Sequence, residues 1–117
     1  TLRPQAALRE RWHSLPERVR HLPVPSRVIL SNRISSTHTV IEVNGRDMPG
    51  LLHRLTRTLA ELGLQIQTAT VSTYGERVVD VFYVKDLFGL QVHNEARLTT
   101  IRDRLLEVFD QVGEAAE

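Results

Sequence analysis

The sequence contains no cysteine, which excludes disulfides, thiol nucleophiles and thiolate metal sites and leaves the redox compartment open. No apolar run approaches the ~20 residues that a bilayer-spanning helix needs. The first residues also lack the apolar centre of a secretory signal, so a cytoplasmic location is expected. An excess of charge of one sign is missing too. Fifteen basic residues stand against 14 acidic ones, for a net charge of +1, and no basic block offers a footprint for a nucleic-acid backbone. Asn44-Gly45-Arg46 lacks the repeated glycines of a phosphate-binding loop, and no nucleophile elbow is present.

What is present describes an ordinary folded domain. With 41% hydrophobic and 25% charged residues in 117, the chain suits one core and a tail. It opens at Thr1 without a methionine, as a segment of a longer polypeptide would. Residues 1–26 hold Pro4, Pro16, Pro23 and Pro25 and read as a linker. Short helical segments fit Gln5 to Ser14 and Pro16 to His21, because proline is accepted in a first turn but not in a helix interior.

From Arg27 the pattern becomes regular. Arg27 to Ser31 is rich in β-formers, and Thr39 to Val43 alternates with Ile41 and Val43 on one face, so the two form an antiparallel hairpin. Pro49 then stands at a favoured first helical position, followed by Leu52, Leu55, Leu59 and Leu62 at helical spacing, with Gly63 as the stop. Gln65 to Tyr74 and Arg77 to Lys85, joined by Gly75-Glu76, predict a second hairpin. After a loop, Asn94 is an N-cap for a helix carrying Leu98, Ile101, Leu105, Val108 and Phe109. The domain is expected over 27–112, with 113–117 a frayed tail. This order predicts an α+β ferredoxin-like sandwich: a four-stranded antiparallel sheet with two helices on one face, in the permuted order ββαββα. The strand at Arg27 takes the edge that the last strand of βαββαβ normally fills.

One segment suggests chemistry. Between Asn44 and Leu52 a strand feeds a helix whose first turn contains Gly50. Unpaired N–H groups at a helix start attract a carboxylate, and Asp47 nearby suits an ammonium, so the pair suits a free amino acid. The same residues also serve as plain turn and helix-start chemistry.

Asp47-Met48-Pro49-Gly50-Leu51-Leu52 resembles the D-x-P-G-L-L signature of ACT domains, the amino-acid-sensing modules of metabolic enzymes. Thr73 to Val84, followed by Asp86-Leu87-Phe88-Gly89, resembles the carboxy-terminal ACT domain of the bifunctional protein-PII uridylyltransferase/uridylyl-removing enzymes. Met48 departs from the arginine common there. The resemblance implies a regulatory domain without catalytic residues or a cofactor of its own. It also implies a parent nucleotidyltransferase that uses a divalent metal such as Mg, and glutamine as the ligand. Partners would be other ACT units, as a homodimer or an intramolecular pair, and PII through the parent enzyme. By the same resemblance, ligand contacts fall on Asn44, Gly45, Asp47, Met48, Gly50, Leu51 and Leu52 of one unit and on Gln65 and Ile66 of a neighbour. Within this reading the N–H groups of Gly50 to Leu52 take the carboxylate, Asp47 the ammonium and Gln65 the side-chain amide.

Two other readings stand beside it. One is a ligand-independent dimerisation or protein-interaction module, suggested by the strand Arg77 to Lys85. With Val79, Val81 and Tyr83 toward the helices, Val78, Asp80, Phe82 and Val84 would form an apolar outer face. The other is an RNA-binding ferredoxin-like domain, disfavoured because that strand lacks a basic-Gly-aromatic pattern. His13, His21, His38, His53 and His93 are scattered and read as surface residues, not metal ligands.

Overall fold

The computed structural model describes residues 24–116. Residues 1–23, most of the expected linker with its short helical segments, lie outside the described residues, as do His13 and His21. The elements are β1 (Arg27–Ser31), β2 (Thr39–Arg46), α1 (Leu51–Glu61), β3 (Gln65–Tyr74), β4 (Arg77–Lys85) and α2 (Glu95–Ala116).

The sheet order is β1-β2-β4-β3 with every neighbouring pair antiparallel. β1 fills the edge beside β2, opposite Asn44 to Val40, as the permuted arrangement requires. The two helices pack on each other; α1 lies toward β3, and α2 toward β1 and β2. The fold is the ferredoxin-like α+β sandwich with an open four-stranded sheet. Its core is the layer between sheet and helices: Ile41 and Val43 of β2, Val78, Phe82 and Val84 of β4, Leu51, Leu55 and Leu59 of α1, and Ile101, Leu105 and Val108 of α2.

Local signals place the ends of the elements. Asn94 caps α2, its Oδ1 accepting the Arg97 N–H at 2.9 Å. α1 closes with Gly63 at φ 76, its N–H donating to the Ala60 carbonyl, while the Leu64 N–H donates to that of Leu59. Asp86 pins the loop after β4, because its Oδ1 accepts the N–H groups of Phe88 at 2.8 Å and Leu90 at 2.9 Å.

Four expectations need correction. β2 does not stop at Val43 but runs to Arg46, so Asn44 and Gly45 are strand residues paired with Val79 and Val78. Gly45 fits there because the Phe109 ring lies against it, where a Cβ would collide. α1 begins at Leu51, not Pro49: Gly50 is its N-cap at φ 80, and Pro49-Gly50 forms a turn ahead of it. The faces of β4 are inverted, because Val78, Asp80, Phe82 and Val84 are buried under the helices while Val79, Val81 and Tyr83 look outward. Finally, α2 continues to Ala116 through the expected frayed tail. Gly113 costs a helix only about 1 kcal/mol, and the glutamate and alanines after it are good helix formers.

Candidate functional site

The turn from Arg46 to Leu51 is held at both ends. The Asp47 N–H donates to the Glu76 carbonyl at 2.7 Å, tying the end of β2 to the β3–β4 hairpin. The Leu51 N–H donates to the Met48 carbonyl at 3.1 Å, and the Arg54 N–H to that of Gly50 at 3.1 Å. Leu51 therefore cannot offer its N–H as expected, because the turn has already engaged it. Of the first-turn N–H groups, those of Gly50, Leu52 and His53 have no partner at the preceding turn of α1, as helix geometry dictates. Gly50 carries no side chain, its conformation at φ 80 is one that residues with a Cβ rarely adopt, and nothing lies within 4 Å of where a Cβ would be. No side chain caps the helix there. An open helix start with a positive dipole end suits an anionic group.

The remaining residues of this half surround it unevenly. Asp47 and Leu52 are exposed, Met48 packs partly against the core, and Leu51 is buried. Asn44 points its Nδ2 to Glu42 Oε2 at 3.0 Å, so its side chain is engaged within the sheet and turned from the helices. Gly45 contributes the close approach of Phe109.

Sequence reasoning missed Asp80. It lies on the helix-facing side of β4 between Val43 of β2 and Val71 of β3 in the register, only 1% exposed, and its Oδ1 has no hydrogen-bond partner. Burial, seconded by repulsion from Asp47, pushes its carboxyl up to about 6. Alternation ties Asp80 to the side of Phe82 and Val84, but with both faces of β4 apolar it does not say that this side is the buried one.

Gln65 and Ile66 are not near the turn. Tyr74, at the other end of β3, pairs with Arg77, which pairs with Arg46; Gln65 is nine residues back along the strand, or roughly 30 Å at ~3.3 Å per residue. Gln65 instead donates its Nε2 to the Asp86 carbonyl at 2.9 Å. Within one unit the two predicted halves stand at opposite ends of the sheet.

Among the described residues two grooves, of about 240 Å³ between α1 and α2 and about 310 Å³ between β1 and α2, are lined by residues other than those of the turn. Among the described residues, no group of three or more His, Cys, Asp or Glu converges as a metal site would, and no helix is long and apolar enough to cross a membrane. His38 is half-buried, its ring edge-on to Tyr83 at 6.2 Å, and not fully solvated as expected.

Comparison with known proteins agrees with this architecture. A family profile described as the ACR family N-terminal ACT domain matches residues 34–110. The bifunctional uridylyltransferase/uridylyl-removing enzyme of Rhodospirillum rubrum is 57% identical over 107 residues, which is 92% of this chain and 11% of that enzyme. The enzyme of the same name from Azospirillum brasilense is 56% identical over 108 residues, 92% of this chain and 12% of its own length. That of Ruegeria pomeroyi is 40% identical over 119 residues, 99% of this chain and 13% of its own. The chain thus spans about a tenth of the length of these relatives. No solved structure matches it. With two helices over an open β1-β2-β4-β3 sheet and the family profile extending from residue 34 to 110, the chain belongs to the ACT domain family.

Proposed function

We propose that this domain senses a free amino acid, glutamine, and regulates a tethered uridylyltransferase/uridylyl-removing enzyme that acts on the PII signalling protein in the cytoplasm. The observation that carries the reading is the uncapped start of α1 at Gly50, with N–H groups for a carboxylate and Asp47 in the same turn for an ammonium. The names of the relatives support the choice of parent enzyme, whose nucleotidyl transfer would need a divalent metal such as Mg held outside this domain. Gly50 and Leu52 N–H groups bind the carboxylate, Asp47 faces the ammonium, and Gln65 with Ile66 of a second ACT unit completes the site. Ligand controls the enzyme by binding the paired arrangement better than the unpaired one, since equal affinity would shift nothing. Calorimetric titration of the chain with glutamine tests this: saturable heat that Asp47→Ala weakens is expected. Absence of heat with every common amino acid would refute it.

A second reading, pairing without ligand, is favoured by the loop after β4. Leu87, Phe88 and Leu90 are 69, 89 and 62% exposed on a backbone that Asp86 holds rigid. A dimer in sedimentation that dissociates on Phe88→Ser, and ignores glutamine, would support it.

A further inference from the structure

On the side of the sheet away from the helices, two arginines stand face to face. The register sets Arg46 of β2 directly opposite Arg77 of β4, and Arg77 opposite Tyr74 of β3, so the three form one row across the sheet. Alternation puts this row on the outer side with Val79, because Gly45 and Val78 in the neighbouring row face Phe109 and the core. In the next outer row Arg27 of β1 pairs with Asn44, which places it diagonal to Arg46. Residues directly opposite on antiparallel strands lie about 5 Å apart at Cβ, and like charges in that position repel.

The nearby acids do not relieve the pair. Glu76 reaches only Arg46, at 3.9 Å, with the two side chains 47 and 41% exposed, which makes a weak contact. Glu42 is held by Asn44 Nδ2 at 3.0 Å. Arg77 forms no ion pair among the described residues, and its Nε is closed to solvent without a hydrogen-bond partner. A buried donor left in this way costs free energy. One oxyanion between the two guanidiniums would screen their repulsion and give Nε its acceptor. A carboxylate offers one charge and two oxygens. A phosphate group offers more charge and at least three oxygens, which suits two forked guanidiniums with a third, on Arg27, behind them.

We infer that this end of the outer sheet face binds a phosphate group between Arg46 and Arg77. The row lies on the side of the sheet opposite α1, so the site is separate from the amino-acid site proposed above and does not depend on it.

The test is calorimetric titration and thermal melting of the wild-type chain, Arg46→Gln, Arg77→Gln and, as a control on α1, Arg57→Gln. The probes are inorganic phosphate, uridine monophosphate and acetate, at constant ionic strength. Circular dichroism establishes that each variant is folded. Wild type should give saturable heat with phosphate and a raised melting temperature, and bind acetate far more weakly. Arg46→Gln and Arg77→Gln should each lose roughly ten-fold or more in phosphate affinity, and Arg57→Gln none. Without phosphate, Arg77→Gln should melt no lower than wild type, because the repulsion is gone. Tighter binding of the nucleotide than of inorganic phosphate would support the site with a nucleotide as the source, and equal binding would support it with free phosphate. Neither heat nor a melting shift with either phosphate compound would overturn the proposal. Acetate binding as tightly as phosphate would overturn it as well, and so would phosphate affinity unchanged in both arginine variants, which would move the anion elsewhere, such as the start of α1.

Discussion

Replacing Asp80 with asparagine should stabilise the chain at neutral pH. The side chain is 1% exposed and its carboxyl is raised from 3.8 to about 6, first by burial and then by Asp47. The rise from 3.8 to about 6, at about 1.36 kcal/mol for each tenfold change in proton affinity, corresponds to about 3 kcal/mol. The sign follows from where the proton is held. The folded chain binds it more tightly than the unfolded chain does, so the contribution to stability is fully present below 3.8. It declines as the unfolded carboxyl ionises and is lost as pH rises through about 6. Above that, the folded state carries a buried charge without a partner, and asparagine, uncharged and of the same shape, removes it. Urea unfolding of wild type and Asp80→Asn, followed by circular dichroism at pH 4, 5, 6 and 7.5, reads the difference directly, because groups common to both chains cancel. The variant should be close to wild type at pH 4 and ahead by up to about 3 kcal/mol at pH 7.5. A gap that does not change with pH, or a variant less stable than wild type at pH 7.5, would refute the reasoning.

Gly45→Ala should destabilise by about 1–3 kcal/mol, since its Cβ would overlap Phe109 Cε1 and lie 2.7 Å from Cζ; a smaller residue at 109 in the same chain should recover part of the loss in thermal melts. Phe82→Ala removes a fully buried ring from the centre of the sheet and should cost about 3–5 kcal/mol by denaturant unfolding. Asn94→Ala loses the cap of α2 and should cost about 1 kcal/mol, with the amides of Arg97 and its neighbours exchanging faster than those farther along α2. Asp86→Ala should free the amides of Phe88 and Leu90 in hydrogen exchange while the core amides of β2 and β4 keep their protection.

The sequence revealed the fold more fully than the site. Arg27–Ser31, Gln65–Tyr74 and Arg77–Lys85 are strands over the residues expected, because turn residues fix their ends: Pro25 before the first, Gly63 and Gly75-Glu76 around the others. The inverted β4 shows the limit of alternation. A period of two says that Val78, Asp80, Phe82 and Val84 share a side, but when both sets are apolar it does not say which side the helices cover. The wholly apolar ring of Phe82 fills the core while Tyr83, with its polar hydroxyl, takes the outer side, and Asp80 is carried inward with Phe82. The strand extension to Arg46 comes from pairing with Val79, Val78 and Arg77 of β4, and Gly45 leaves room there for Phe109, 64 residues away, which no local pattern records. For the same reason the residue types of Pro49-Gly50-Leu51 announce a helix start but not which N–H remains open. That is settled by the Met48 carbonyl taking the one on Leu51.

The distance between the two predicted halves constrains regulation more than any single residue does. Asp47 and the start of α1 sit at the Tyr74 end of β3, Gln65 at the other, roughly 30 Å away, so one amino acid cannot touch both in one unit. If both halves bind the same molecule, they belong to different ACT units, and the ligand joins them. Binding then becomes inseparable from pairing: affinity for the isolated chain rises with its own concentration, and a tethered second unit raises it further by holding the partner close.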